Sequence, residues 1–179
     1  MDDPRGINGP LAAVWVGVGA TVVMDASMVL AGRLAPDLLA TEKLDVDLIG
    51  RWVGRLGRDP RPGGDITGAA PVSGEVALGL ATHYATGIAL TGVYLASLHQ
   101  LGVDPSLAKA TAFGVATAAL PLLVMFPKMG YGLAGRRSSD ARRMRSMMLL
   151  GHTAFGVGIG LCTAVYQTQG MNWRGTACR

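Results

Sequence analysis

The segment from Gly74 to His99 limits most strongly what this chain can fold into. It reads GEVALGLATHYATGIALTGVYLASLH, and its single charged residue, Glu75, stands at its start. About 20 apolar residues suffice to cross a bilayer as a helix, and this segment is longer. A helix on the surface of a soluble protein would carry charges along its outer face. The sequence therefore predicts a membrane-spanning helix with His83 well inside it.

Three further segments have the same character. Half of all residues are hydrophobic and only 16% are charged, against about 25% in an ordinary soluble domain. We therefore predict an all-α, polytopic membrane protein whose first partner is the lipid bilayer. Residues 1–179 would form a single domain, an up-down-up-down bundle of four helices. The predicted spans are residues 11–34, 74–99, 106–127 and 145–167.

The basic residues are concentrated between the spans, and this predicts an orientation. By the positive-inside rule, the loops 35–73 and 128–144 would be cytoplasmic and both termini periplasmic. The acidic start of the chain does not fit a signal peptide, so the first span would be retained. The basic blocks lack interleaved aromatic residues, and no nucleic acid is expected as a partner. The blocks contain Lys43, Arg51, Arg55, Arg58 and Arg61, and Lys128, Arg136, Arg137, Arg142, Arg143 and Arg145.

Local patterns predict three further features. Between Val46 and Leu56, apolar and charged residues alternate at helical spacing, which predicts a short amphipathic helix in the membrane interface with Trp52 at headgroup level. Pro121 lies inside the third span and predicts a kink there. The methionines that open the fourth span are predicted to pack against lipid. They are Met144, Met147 and Met148.

The second and fourth spans resemble each other, which indicates an internal repeat. Aligning His83 with His152 also aligns Gly87 with Gly156, and the first and third spans share GVGAT at 17–21 and GVAT at 114–117. We infer two helical hairpins in the same orientation, related by a pseudo-twofold axis along the membrane normal. In that arrangement the second and fourth spans are diagonal neighbours, and their two histidines face each other.

Asp25 completes a layer of ionisable residues within the spans. At 1.5 Å per residue, Asp25, His83 and His152 lie roughly 9 to 13 Å from the cytoplasmic ends of their helices. A carboxylate at that depth needs a partner, and a histidine is the natural one. One interpretation is structural, in which these residues bond between helices whose small residues allow close approach. A second is proton-coupled transport or acid–base chemistry within the membrane.

Two cofactor interpretations stand beside these. In the first, His83 and His152 are the axial ligands of a haem b used for electron transfer. In the second, Asp25 joins the two histidines in binding a non-haem metal. Glycines that lie four or eight residues from these histidines would leave room for a macrocycle. They are Gly79, Gly87, Gly156 and Gly160.

A different class of function is also open. The glycine-rich helix faces could dock against a larger membrane complex, with this chain as an accessory or scaffolding subunit, or against a second copy in a homo-oligomer. No phosphate-binding loop, nucleophile elbow or zinc-type Cys/His spacing is present. The sequence therefore assigns no catalytic residue and leaves enzymatic activity undecided.

The chain resembles a family of small bacterial four-span membrane proteins catalogued only as a domain of unknown function. The resemblance rests on GVGATVVMD, DLIGRWVGRL, PVSGEVALGLATHYATG, PLLVMFPKMGYGLAG and LLGHTAFGVGIGL, which cover most of residues 17 to 161. It implies four spans and a bacterial inner-membrane location. The family's pattern falls here on Asp25, on His83 with Tyr84, and on His152. It implies no activity, and the segment RRSSDARRMRS after Gly135 is more basic than the family's usual loop.

Overall fold

The computed structural model describes residues 9–35, 46–56 and 64–176, with side chains as far as residue 169. Four helices in it are long and apolar enough to cross a membrane, and the described residues contain no strand. The predicted all-α membrane fold is thereby confirmed. The spans are α1 (Pro10–Leu34), α3 (Glu75–Leu101), a third span (Leu107–Lys128) and the apolar part, Ala141–Gln169, of α6 (Ala141–Thr176).

Single residues of known helix-capping or helix-starting preference mark where these helices begin. Pro10 occupies the first turn of α1, where its missing N–H costs nothing. The third span opens with Ser106, whose hydroxyl accepts the Lys109 N–H at 3.3 Å. The Asp140 carboxylate accepts the Arg143 N–H at 3.0 Å, and α6 accordingly begins at residue 141 rather than near 145.

The third span is not one continuous α-helix. It consists of α4 (Leu107–Thr117), a π-helical turn (Pro121–Met125) and α5 (Phe126–Lys128). Proline cannot donate a backbone hydrogen bond, and here the Phe126 N–H reaches back five residues to the Pro121 carbonyl. The break predicted at Pro121 thus takes the form of a π-helical turn, a feature that is frequent at functional sites.

The amphipathic helix predicted between the first two spans is α2 (Val46–Arg55), and it packs along the start of α3. The two backbones meet at Gly50 and Gly79, since a methyl group added to Gly50 would lie 2.7 Å from the Gly79 nitrogen. Arg51 then forms a double hydrogen bond to Glu75, with N–O distances of 2.9 and 2.8 Å. Helix α2 is therefore fixed against the bundle.

The spans are arranged in a ring that is closed on three sides. Helix α1 packs against both α3 and α6, and α6 also packs against α4. The second and fourth spans are consequently diagonal, as predicted. On the fourth side α3 and α4 barely touch; a ring contact joins Tyr94 and Phe113, with centroids 5.2 Å apart.

Matching contacts in the two hairpins support the internal repeat. Gly17 of α1 packs against the backbone of Ile88, and Gly114 of α4 packs against the backbone of Gly156. In both hairpins a threonine hydroxyl then bonds to the carbonyl of that glycine. Thr21 bonds to Gly17 at 2.8 Å, and Thr117 bonds to Gly114 at 2.6 Å. The two hairpins therefore cross through the same kind of glycine contact, with a threonine hydroxyl beside it.

The bundle is filled by two apolar clusters. We call the end at which α1 ends, α3 begins and the connection 129–140 lies the basic end. The cluster near it joins Ile66, Phe126 and Met129 to the methionines that open α6. Met144 is fully buried, and Met147 and Met148 are each 8% exposed. The prediction that these three methionines pack against lipid is therefore wrong, because all three belong to this interior cluster and the connection lies against Met144 at Gly135.

Candidate functional site

Asp25 lies in α1 and accepts hydrogen bonds from two neighbouring residues of α3. The Nε2 atom of His83 lies 3.0 Å from Oδ1, and the Tyr84 hydroxyl donates to Oδ2 over 3.0 Å. An ionised carboxylate is an acceptor only, so His83 carries its proton on Nε2 whenever Asp25 is charged. The predicted pairing of Asp25 with a histidine is what the structure contains, and Tyr84 is a second donor.

The crossing of α1 and α3 brings these residues together. Gly17 lets the two backbones approach, and Thr21, one turn further along α1, packs against Gly87. Asp25 follows after one more turn on the same face of α1, because residues four apart stand above one another. His83 lies one turn before Gly87 on α3. The small residues at the crossing thus position the acid and the imidazole.

His152 has a different partner. Its Nδ1 atom lies 2.8 Å from the hydroxyl of Thr117, and that hydroxyl also lies 2.6 Å from the Gly114 carbonyl. The N–H that would ordinarily serve this carbonyl belongs to Ala118 and points to Val115. We therefore assign the hydroxyl proton to Gly114, which makes Nδ1–H of His152 the donor and leaves Nε2 as the acceptor nitrogen.

Asp25, His83 and His152 line one cavity of about 860 Å³. It lies in the half of the bundle nearest the basic end, with α2 and the π-helical turn as two of its walls. Its volume falls in the range of sites for drug-sized molecules. The remaining lining is mostly apolar, with two aromatic rings and five methionines. These are Trp52, Phe155, Met24, Met28, Met125, Met147 and Met148.

The accessibility of the ionisable side chains is uneven. The Asp25 side chain is 43% exposed, although it lies well inside α1, whereas His83 is 19% exposed. No Lys or Arg occurs among the described residues that line the cavity. The Asp25 carboxylate therefore lines the cavity while partly exposed, and no described Lys or Arg side chain lines the cavity beside it.

Only one of the four glycines that were predicted to surround a cofactor lines this cavity. Gly87 does so, and it faces Thr21. Gly79 is filled by the backbone of α2, whereas Gly156 and Gly160 are filled by the backbone and side chains of α4. These three glycines therefore serve helix packing within the chain.

The histidines and Asp25 do not form a compact ligand set. In the described part of the chain, no three His, Cys, Asp or Glu side chains are grouped so as to hold a metal ion. For bis-histidine ligation of haem through Nε2, His83 would have to release Asp25, because that nitrogen makes the contact. His152 would need no such change, since its bond to Thr117 uses Nδ1.

Two partners of the site escaped the reasoning from sequence pattern. Thr117 offered one signal, its alignment with Thr21 in the repeat. Trp52 was expected at headgroup level, yet it lines the cavity and packs against the cluster near the basic end. The sequence places Trp52 on the apolar face of the amphipathic helix α2, but it does not show that this face packs against the bundle.

Comparison with known proteins places the chain in a family. No curated protein and no solved structure matches it. A family model described as "Protein of unknown function (DUF2938)" matches residues 14–166. The matched region contains Asp25, His83 and His152, and it reaches from the first span into the fourth. The chain therefore belongs to the DUF2938 family of proteins of unknown function.

Proposed function

We propose that this membrane protein binds a small molecule in its cavity and couples that binding to protonation of the Asp25–His83 pair, as a component of a proton-coupled transporter. The carrying observation is the Asp25 side chain, which is 43% exposed in a mostly apolar cavity within the spans. Ionisable groups inside spans usually mark substrate or proton pathways. Imidazole and carboxylate together can hold or release one proton near neutral pH.

The hydrogen bonds at Asp25 support a proton-exchanging role. His83 and Tyr84 both donate to the carboxylate, and these two hydrogen bonds stabilise its charged form. A ligand that changes the charge or the hydration beside Asp25 changes the proton affinity of the pair. Binding and protonation are then linked, because each shifts the equilibrium of the other.

The test uses three aromatic probes that differ in charge: tetraphenylphosphonium, triphenylphosphine oxide and tetraphenylborate. Trp52 reports binding by its fluorescence in a Trp15→Phe/Trp173→Phe background, since the chain has three tryptophans. A pH dye in weakly buffered detergent solution reports proton exchange. At least one probe should bind with proton exchange, and Asp25→Asn should abolish the exchange.

The matched control is Asp140→Asn, which removes a carboxylate from the connection at the basic end and outside the cavity. This variant should leave binding and proton exchange unchanged. If no probe binds, or if proton exchange persists in Asp25→Asn, the proposed function is overturned.

Haem b is the second candidate, because His83 and His152 line the same cavity from diagonal helices. Bound haem would supply one-electron chemistry, and the two imidazoles would hold its iron. Protein purified from haem-supplemented cells should then show a Soret band that is lost in His83→Ala and in His152→Ala. A colourless preparation that still binds an aromatic probe would exclude this candidate.

A further inference from the structure

We propose that the cavity takes a lipophilic organic cation, which enters from the bilayer through the gap between α3 and the third span. This inference rests on the proposed function and names the class of ligand for the same site. It is carried by three features: the charges that face the cavity, the chemistry of its walls, and the opening between two helices.

The charges that face the cavity favour a cation. Asp25 is the only acidic residue among the described lining residues, and Lys and Arg are lacking there. From α3 it faces His83 and Tyr84, and from α6 the cavity receives His152; α2 and the third span contribute apolar side chains. A carboxylate that is removed from water needs a partner of opposite charge. An anionic ligand would meet this carboxylate with no Lys or Arg among the described lining residues to compensate it.

The walls suit a cation that also carries large apolar groups. Trp52 and Phe155 line the cavity. Aromatic rings attract a positive charge, and this attraction strengthens as water is removed. The five methionines are flexible and polarisable and adapt to ligands of different shape. A small hydrated cation would leave most of this apolar surface unused, so the cation should be organic and bulky.

The opening lies on the fourth side of the ring. Tyr94 and Phe113 hold α3 and α4 together near the short connection that joins them, far from the basic end. Toward the basic end the cavity separates the two spans. Leu120 and Val124 on one side of the gap are 45% and 46% exposed, and Thr86 on the other side is also exposed. All three line the cavity, and from their exposure we infer that it opens between the two spans toward lipid.

The internal repeat strengthens this assignment of the opening. The interface between α1 and α6 is the equivalent, in the other half of the repeat, of the gap between α3 and the third span. It is closed, since a methyl group added to Gly158 would lie 2.8 Å from the Ala20 Cα atom. The fold can therefore close this type of interface between α1 and α6. At the cavity, the equivalent interface between α3 and the third span is not closed in this way.

Binding of the cation exchanges for a proton. In this exchange the free site holds Asp25 as a carboxylate and His83 as an imidazolium. When the cation binds, the Nδ1–H bond of that imidazolium breaks and its proton passes to solvent, while Nε2–H stays hydrogen-bonded to Asp25. The positive charge of the ligand replaces the charge of the proton, so the site keeps its net charge. While the free pair is protonated, affinity should rise about tenfold for each pH unit.

The experiment compares the cationic, the neutral and the anionic probe, each with the whole protein in lipid nanodiscs. Tetraphenylphosphonium should bind with release of about one proton, and Asp25→Asn should weaken its binding about tenfold or more while removing the pH dependence. If only the neutral or the anionic probe binds with proton exchange, the cation assignment fails while the proposed function stands. If none of the three binds, both fail.

Two valine substitutions test the route. Val124→Phe places a large ring in the gap without adding a tryptophan, and it should slow tetraphenylphosphonium association several-fold. Val115→Phe is the matched control, because Val115 lies on the same span at 40% exposure but does not line the cavity. Equal association rates for these two variants would overturn the lateral route. If tetraphenylphosphonium binds both variants equally fast and its binding still depends on Asp25, the cation assignment stands and only the lateral route fails.

Discussion

Gly114 and Gly156 pack backbone against backbone where α4 crosses α6. A methyl group on Gly156 would lie 2.6 Å from the Ala110 carbonyl oxygen and 3.0 Å from the Gly114 Cα atom, distances that no real side chain accepts easily. Rigid backbone surrounds both positions, so a substitution must push the helices apart. The same crossing carries His152 and Thr117, and its geometry therefore reaches the site.

Gly114→Ala should destabilise the protein by about 1–3 kcal/mol, the usual cost of overpacking. The control is Gly92→Ala in α3, where the added methyl would meet the Ala13 side chain at 3.7 Å, an ordinary contact. Thermal unfolding in detergent, followed by circular dichroism, should show a lowered midpoint for Gly114→Ala alone. Equal midpoints would contradict the close packing of α4 on α6.

The pair Arg51–Glu75 should contribute to holding α2 on α3. Its side chains are 11% and 14% exposed, and two nitrogens of the guanidinium bond to both carboxylate oxygens. Arg51→Met should lower the unfolding midpoint and loosen the wall that Trp52 gives the cavity, seen as weaker probe binding. Arg143→Met, which removes a more exposed pair to Asp140, is the control and should change neither quantity. A midpoint that is unchanged in both variants would show that glycine packing alone holds α2.

Thr91 and Thr117 should respond in opposite ways to the same substitution. Thr91 is fully buried, and its hydroxyl has no hydrogen-bond partner in the described part of the chain. Thr91→Val should keep or raise stability, by up to about 1 kcal/mol, because an unpaired buried hydroxyl is removed. Thr117→Val should lower stability by about 1 kcal/mol, since it breaks two contacts. The pair of unfolding midpoints checks this, and a loss in Thr91→Val would indicate an unseen partner.

The protonated nitrogen of His152 can be measured directly. Nitrogen-15 NMR of histidine-labelled protein near neutral pH should show the proton of His152 on Nδ1. Thr117→Val removes the oxygen that accepts this proton, so the population should shift toward the Nε2–H form. The His83 signals serve as an internal control, because their partner Asp25 is untouched. A predominant Nε2–H form in the unsubstituted protein would refute our assignment.

The sequence predicted the spans and the pairing at Asp25 better than it predicted the walls of the cavity. Length and low charge suffice for the spans, because the bilayer imposes one length on every crossing helix. A carboxylate inside a span needs a partner, and few candidates exist. The repeat then placed both histidines around the bundle axis. These inferences depend on local sequence pattern and on the free-energy cost of an unpaired charge inside the membrane, and both can be judged from a single sequence.

Contacts between distant segments explain what was missed. In the sequence Arg51 is one of the loop charges and Glu75 stands at the start of a span, and only the docking of α2 joins them. The clustering of Met144 with Met147 and Met148 at one end of a span favours lipid contact, yet in the structure the connection at Gly135 lies against Met144. Neither contact follows from helical periodicity, since both depend on how a loop folds back.

The unequal interfaces between the two hairpins have a consequence for how such a protein arises. A dimer of identical hairpins has two interfaces that are related by strict symmetry. Both interfaces must therefore carry the same residues, and both must be closed or both open. Joining the hairpins in one chain removes that constraint. Gly158 can then close one interface against Ala20, while Leu120 and Val124 stay exposed at the other. If the proposed lateral route is right, fusion of the two copies is what allows the fold to open on one side only.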